Sequence, residues 1–492
     1  MANKLDPQKN HDKSRRLVGY VPRKDATRRT YSQIGFKCGL EIHQQLKTAK
    51  KLFCRCPAGV YGSKEGYDAE VVRHMRPTLS ELGEYDGTAL MEFKTRKTIF
   101  YRIHHETTCT YDVDDTPPFP VNREALATAL EIALLLKTSI VGELHITRKQ
   151  YLDGSIPTGF QRTGIIGIDG QIPLSGKTVR IIQLSLEEDA CREVRDHGHE
   201  RIYITDRLGM PLIETVTYPD LLTPDEAAEA AHYIRFLTRS TGKVRTGIGA
   251  AREDVNVSVT GGTRVEIKGV AHIRWIPELT HNEAFRQWAL LKIRKILLQR
   301  IPDPAAWKPA HMELVPPQIR LEKLPIPQED YQRVRVWAVN LPEFKEILSF
   351  FTQPGQCFAD ELSDRVKVIA CIEKPNLTHS EALRPMLETA DLKLVQDLLH
   401  AGERDAQLLI WGLPGDLPTA LESIEERCRL ALRGVPNETR KGLPDGTTIF
   451  ERVLPGPDRM YPGTASKPIS LSEEMIRQAA ESCPEGVHLR LK

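Results

Sequence analysis

Asp254-Val255-Asn256-Val257-Ser258-Val259 alternates strictly between polar and apolar residues. That is the period of a β-strand with one face turned to a core, and it puts Asp254, Asn256 and Ser258 on one side. Val265-Glu266-Ile267-Lys268 repeats the pattern, with Glu266 and Lys268 on the polar face. Leu40-Glu41-Ile42-His43 sets a carboxylate and an imidazole two residues apart, hence on the same face. In 183–189 the alternation points Gln183, Ser185 and Glu187 together. The run Glu187-Glu188-Asp189 is too tight to share one face, so one member must point away. Each segment taken alone reads as an ordinary half-solvated antiparallel strand, whose acids need no ion. Gathered on one sheet face, such carboxylates repel unless a cation sits among them. The pattern therefore predicts a hard-metal site, with magnesium bridging to phosphate.

A chain of 492 residues is too long for one compact core, so two or three domains are expected. Apolar residues make up 40% and the formal charge is +2, which describes a globular protein whose overall charge does not announce a nucleic-acid binder. The first thirty residues are basic (Lys13, Arg15, Arg16, Arg23, Lys24, Arg28, Arg29) and poor in apolar residues. They read as a disordered arm without the apolar core of a signal peptide. No apolar run has the length that spans a bilayer. Nine cysteines, an odd number, suggest reduced thiols and a cytoplasmic setting. Cys54-Arg55-Cys56 is the one close pair. A structural zinc site wants four ligands, no second close pair follows, and His74 is the nearest further candidate, so buried or idle thiols are the expectation.

Along the chain, Pro117, Pro118 and Pro120 mark a loop, and Asn122 caps a helix over 123–137. Residues 140–222 are rich in strand signals and punctuated by Asp153-Gly154, Gly159, Asp169-Gly170 and Gly176. Thr223 and Pro224 open a helix over 225–241, and a long helix over 282–300 ends at Pro302 and Pro304. A proline-rich linker (Pro316, Pro317, Pro325, Pro327) then leads into a small α/β pattern: strands at 334–339, 366–371 and 407–411, helices at 392–401 and 418–433. The expected division is a basic arm (1–30), a main domain (31–300), an inserted domain (301–432) and a return to the main domain (433–492).

Several longer motifs run through the main domain. They are Gly-Leu-Glu-Ile-His-Gln-Gln-Leu at 39–46, Lys-Leu-Phe-Cys-Arg-Cys-Pro at 51–57, His-His-Glu-Thr-Thr-Cys at 104–109 and Asp-Gly-Ser-Ile-Pro-Thr-Gly-Phe-Gln-Arg-Thr at 153–163. Further on stand Leu-Glu-Glu-Asp-Ala at 186–190, Asp-Arg-Leu-Gly-Met-Pro-Leu-Ile-Glu at 206–214, Arg-Glu-Asp-Val-Asn-Val-Ser at 252–258 and Arg-Val-Glu-Ile-Lys-Gly-Val at 264–270. Together, over about residues 31 to 470, they resemble the B/E class of glutamyl-tRNA(Gln) amidotransferase subunits, and within it the archaeal-type E branch. The inserted segment is similar to a small domain that this branch shares with bacterial-type aspartyl-tRNA synthetases.

The resemblance implies an α+β fold: an antiparallel-sheet cradle carrying the site, with a small α/β domain inserted. It implies ATP and Mg²⁺ as cofactors. In the implied reaction ATP phosphorylates the glutamate side chain of Glu-tRNA(Gln), and ammonia then displaces the phosphate. By analogy with the motifs, Glu41, His43, Glu187 or Glu188, and Asp254 would hold the metal, with Glu266 nearby. Arg148, Lys149, Arg252 and Lys268 would neutralise phosphates, beside Asn256 on the site face. Thr158, Gln161 and Arg162 would meet the aminoacyl end or nucleotide, unless they form only a hairpin loop.

No amidase pattern supplies ammonia from within the chain, so the resemblance implies a separate, asparaginase-like, ammonia-producing partner of the D type in a heterotetramer. Family members continue into helical and tail domains beyond the core, which are expected to be absent here. Their Arg-Met-Tyr-Pro segment runs on into acidic residues, whereas this chain has Gly463 and Ala465 after Arg459-Met460-Tyr461-Pro462. Two other functions are compatible with the residues: a ligase amidating a carboxylate not carried on tRNA, and a non-catalytic paralogue that binds RNA or a partner.

Overall fold

The structure is a computed structural model that describes residues 5–80, 83–315, 318, 320–454, 456 and 459–484. Pro316 and Pro317 of the linker lie outside the described residues. The chain forms two units, one of Met1–Phe36, Ser258–Val265 and His281–Arg452, the other of Lys37–Val257, Glu266–Thr280 and Val453–Lys492. The division differs from the sequence expectation at four places: residues 1–36, 258–265, 281–300 and 433–452 belong with the segment read as an insert.

The site-bearing unit is built on a large, mainly antiparallel sheet. Strands Val265–Val270, Ala251–Ser258, Lys37–Gln45, Pro211–Thr217, Lys177–Glu188, Phe160–Leu174, Thr147–Gln150 and Met460–Pro462 lie side by side in that order. Phe160–Leu174 and Lys177–Glu188 form a hairpin in which Leu174 opposes Lys177. Its two-residue turn, Ser175-Gly176, has Gly176 at φ 84°, a backbone state that a Cβ disfavours. Helices Arg123–Leu135 and Pro224–Ser240 pack against the sheet. Both start as their sequences dictate: Asn122 accepts from the Glu124 and Ala125 amides, and Thr223 accepts from that of Glu226, with proline in the first turn. A second sheet orders Ala69–Arg73, Thr98–Ile103, Glu200–Ile204 and Arg192–His197.

The other unit has an antiparallel sheet ordered Ala310–Leu314, Arg335–Leu341, Ala406–Gly412, Leu377–His379. Helices Phe358–Ile369 and Leu417–Arg433 pack on each other. The stretch read as a strand at 366–371 falls largely in the first of these helices. Phe358, Leu362, Val366 and Ile369 are buried at helical spacing, and this packing outweighs the β-preference of the valines and isoleucine. Between the helices lies a buried charge network: Arg286 reaches Glu361 at 2.9 Å, Arg427 reaches Glu361 at 3.1 Å, and Arg365 and Arg440 reach Glu438 at 2.9 and 2.8 Å.

Residues 5–30 are not a disordered arm. Helix Pro7–Val18 is capped by Asp6 and closed by Gly19 at φ 71°, and helix Arg28–Ile34 follows. Specific buried bonds order this segment. Ser14 Oγ accepts from the Phe351 amide at 2.9 Å and the Tyr20 hydroxyl donates to Asn282 at 3.0 Å. Lys13, Arg15 and Arg16 sit on the solvent face of the helix, so their charge is compatible with order. Among the described residues no helix is long and apolar enough to cross a membrane.

Candidate active site

Strand register decides which side chains meet. His43 lies directly opposite Glu214, and Glu214 opposite Ser185. Leu212 and Thr163 both face Glu187. Directly opposed residues of an antiparallel pair share a face, so Glu41, His43, Glu187 and Glu214 all project from one side of the sheet. Arg252, Asp254 and Asn256 occupy alternate positions of the neighbouring strand. Two clusters result: His43 with Glu187 and Glu214, and Glu41 with Asp254 and Glu266, the ligand atoms of each lying within 4.8 Å of one another.

The contacts within this face are dense. His43 Nε2 is 3.3 Å from Glu214 and 3.6 Å from Glu187. Lys149 Nζ lies 2.9 Å from Glu187 and 3.5 Å from Glu214. Lys268 Nζ is 3.2 Å from Glu266 and 3.4 Å from Asp254. Asn256 donates Nδ2 to Glu41 at 2.9 Å, and the Gly269 amide donates to Asp254 at 2.7 Å. Burial, reinforced by the charges of Glu266, Glu214 and Asp254, raises the Glu41 carboxyl to about 7. Burial alone would lower His43, but the Glu214 hydrogen bond and the Asp254 and Glu214 charges outweigh it and lift the imidazole to about 9. Burial would raise Glu214, yet Lys149 and His43 hold it well below the usual carboxylate range.

Five carboxylates (Glu41, Glu187, Glu214, Asp254, Glu266) thus share a face with two lysines, one imidazole and Arg252, which is itself paired with Asp189. The acids are in excess even with His43 protonated. Asn256 Oδ1 is also buried without a hydrogen-bond partner. Surplus carboxylates and an unsatisfied amide oxygen are the donor set of a hard divalent cation such as Mg²⁺. The residues present fit one.

The remaining sequence candidates divide between the two faces. Glu188 points away from Glu187: it accepts from the Tyr111 hydroxyl and, at 3.0 Å, from the Arg162 amide. Arg162 Nη1 donates to the Tyr111 hydroxyl at 2.9 Å. Arg148 opposes Arg162 in register and lies over Phe160, its Nε donating to the Pro462 carbonyl. The structure therefore does not bring Glu188, Arg148 or Arg162 to the acid clusters. Thr158 closes its own loop on Phe160. Gln161 donates to the Glu188 carbonyl at 2.7 Å. Arg252 is anchored by Asp189 at 3.0 Å, and Asp189 also accepts from Gln45 at 2.7 Å.

Sequence reasoning missed Glu214 as a site residue. The signal was present: an acid in the apolar strand Pro211–Thr217, buried along nearly its whole length, needs a partner inside the protein. Gly463 also has a structural correlate. A Cβ there would come within 2.4 Å of the Ile146 carbonyl oxygen, so an acidic side chain at 463 would require the backbone to move.

A sheet face of buried carboxylates flanked by lysines has the chemistry to hold a divalent cation beside an anionic group. The sequence profile of the GatB/GatE catalytic domain matches residues 36–477, and the chain belongs to this family. It is 40% identical over 464 residues to the E-type glutamyl-tRNA(Gln) amidotransferase subunit of Methanocaldococcus jannaschii, covering 92% of this chain and 71% of that one. The E-type subunits of Sulfolobus acidocaldarius and Methanopyrus kandleri are each 39% identical, over 94% and 92% of this chain and 73% and 71% of theirs.

Proposed function

We propose that this chain is the ATP-dependent subunit of a glutamyl-tRNA(Gln) amidotransferase, converting Glu-tRNA(Gln) to Gln-tRNA(Gln). The observation that carries this reading is the excess of buried carboxylates beside Lys149 and Lys268, within a chain whose relatives bear that name.

Glu41, Asp254 and Glu266 would hold Mg²⁺, with Glu187 and Glu214 flanking it, and the ion would neutralise phosphoryl oxygens of ATP. Lys268, paired with both Asp254 and Glu266, is placed to follow negative charge onto the transferring phosphoryl group. Lys149 and protonated His43 keep Glu214 ionised and hold Glu187 in place. In the first step an oxygen of the glutamate side-chain carboxylate takes the γ-phosphoryl group and ADP leaves. In the second, ammonia attacks the acyl carbon, the C–O bond to phosphate breaks, phosphate departs with the electron pair, and the surplus proton passes to a nearby base. On this reading ammonia comes from a separate asparaginase-like partner of the D type in a heterotetramer, in the cytoplasm. The four-stranded antiparallel sheet with its packed helices is compatible with the small domain of bacterial-type aspartyl-tRNA synthetases.

The test supplies ammonium in place of a partner. Purified chain, ATP, Mg²⁺, ammonium and Glu-tRNA(Gln) are expected to yield Gln-tRNA(Gln), measured after deacylation. Amidation of a free or peptide-bound carboxylate instead would support the ligase alternative. Absence of Mg²⁺-dependent ATP binding would support the non-catalytic one.

A further inference from the structure

Asp189 directly follows the strand Lys177–Glu188 and is fully buried. Its Oδ1 accepts from Arg252 Nη2 at 3.0 Å, and its Oδ2 from Gln45 Nε2 at 2.7 Å. We infer that Asp189 is a positioning residue of the amidotransferase reaction, holding the Arg252 guanidinium toward the transferring phosphoryl group. The inference rests on the function proposed above and adds a residue that acts through Arg252, not on the substrate itself.

Three site-bearing strands meet in this one carboxylate. Gln45 closes the row Glu41, His43, Gln45 on strand Lys37–Gln45. Arg252 begins the row Arg252, Asp254, Asn256 on the neighbouring strand Ala251–Ser258. Asp189 itself stands two residues beyond Glu187. The tie thus joins the strands that carry His43, Glu187 and Asp254. Its own backbone is fixed on both sides. The Asp189 amide donates to the Met210 carbonyl, and the Gly209 amide donates to the Asp189 carbonyl, each at 2.8 Å. The Ala190 amide adds a bond to Oδ1 at 2.8 Å.

A purely structural ion pair satisfies both of its members. Here Asp189 is satisfied and Arg252 is not. The Asp189 side chain is 0% exposed and that of Arg252 is 27% exposed. Among the described residues, Nη2 is the one nitrogen of Arg252 hydrogen-bonded to protein, so Nε and Nη1 keep donors for a ligand. Arg207 Nε also lies 3.8 Å from Oδ2, while its N–H groups go to the Ala190 and Cys191 carbonyls at 2.9 and 2.7 Å. The charge of Asp189 is therefore divided between two guanidiniums, and Arg252 retains attraction for an anion. Arg252 also stands in the field of Asp254 and Glu187, one from each acid cluster. Lys149 and Lys268 are each bridged to two carboxylates of the face. A planar guanidinium with donors to spare matches phosphoryl oxygens better than either. Held in place before substrate arrives, it costs no reorganisation during transfer.

The experiment is amidation of Glu-tRNA(Gln) with ATP, Mg²⁺ and saturating ammonium by the unaltered chain, Asp189→Asn, Arg252→Met and the double variant. Asp189→Asn should lose about 10–100-fold in kcat, with KM for Glu-tRNA(Gln) changed by less than about threefold. Arg252→Met should lose about 100-fold, and the double variant no more than Arg252→Met alone. Losses that multiply in the double variant overturn the inference, because Asp189 would then act by another route. A change confined to KM overturns it as well. Where Asp189→Asn does not fold, Gln45→Met removes one donor and leaves the ion pair. Its kcat should fall about fivefold, with no further loss on the Arg252→Met background, and an undiminished kcat overturns the inference. An unaltered chain that makes no Gln-tRNA(Gln) overturns the proposed function and this inference with it. An active chain whose Asp189→Asn variant is equally active overturns this inference alone.

Discussion

Glu187 and Glu188 are adjacent and both buried, yet they belong to opposite faces and different jobs. Glu187 stands with His43 and Lys149, while Glu188 is held by Tyr111 and Arg162. Glu188→Gln should therefore cost stability, about 1–3 kcal/mol for a disturbed buried charged hydrogen-bond set, and change turnover little in the protein that remains folded. Glu214→Gln should cost turnover as well as stability. Removing its charge weakens the hold on His43 and Lys149, and amidation with ammonium should fall by about 100-fold or more. Urea midpoints and turnover measured on both variants would check the pair. Equal turnover losses would place Glu188 in the chemistry after all. In the sequence these neighbours differ only by parity, and parity cannot say which of two faces holds the site. That answer came from the register of Glu214 against His43, a pairing between distant segments.

At the scale of elements, the strands announced themselves where one face was polar, as at 254–259. They were harder to read where a glycine served packing. Asp169-Gly170 has the wording of a turn but lies inside the strand Phe160–Leu174. There the Gln171 amide donates to the Leu136 carbonyl at 2.9 Å, and a Cβ on Gly170 would come within 2.7 Å of that same oxygen. A close backbone approach, not a reversal of the chain, requires the glycine.

The N-terminal segment was misread because its composition reports only the solvent side of its helix. One of its anchors carries a pH dependence. The Tyr31 hydroxyl bonds His281 Nδ1 at 3.0 Å, and His281 Nε2 bonds the Val21 carbonyl at 2.9 Å. Burial pushes the imidazole down from 6.5 to about 4, against the pull of the Val21 carbonyl. Between those values the unfolded chain binds more protons than the folded one, so stability is full above about 7 and declines as pH falls toward 4. The loss from this group should reach about 3 kcal/mol. His281→Asn should remove that slope, visible as a smaller change in urea midpoint between neutral and acidic buffer. An unchanged slope would mean that other groups set it.

For the whole molecule, the two-unit organisation was legible as a change of composition near residue 300, but its limits were not. Residues 281–300 and 433–452 look like ends of a main domain, and the buried network of Arg286, Glu361, Glu438 and Arg440 shows where they belong. Charged residues that read as surface in a sequence are here fully buried, because they find one another across long separations. The central claim is that the carboxylate face of the other unit activates a substrate carboxylate with ATP. The most direct measurement is ADP release on adding Glu-tRNA(Gln) to chain, ATP and Mg²⁺ with no nitrogen donor, comparing the unaltered protein with Glu41→Gln. The account predicts ADP formation that depends on Glu-tRNA(Gln) and falls by about 100-fold or more in the folded variant. ADP formation at an undiminished rate in Glu41→Gln would contradict it.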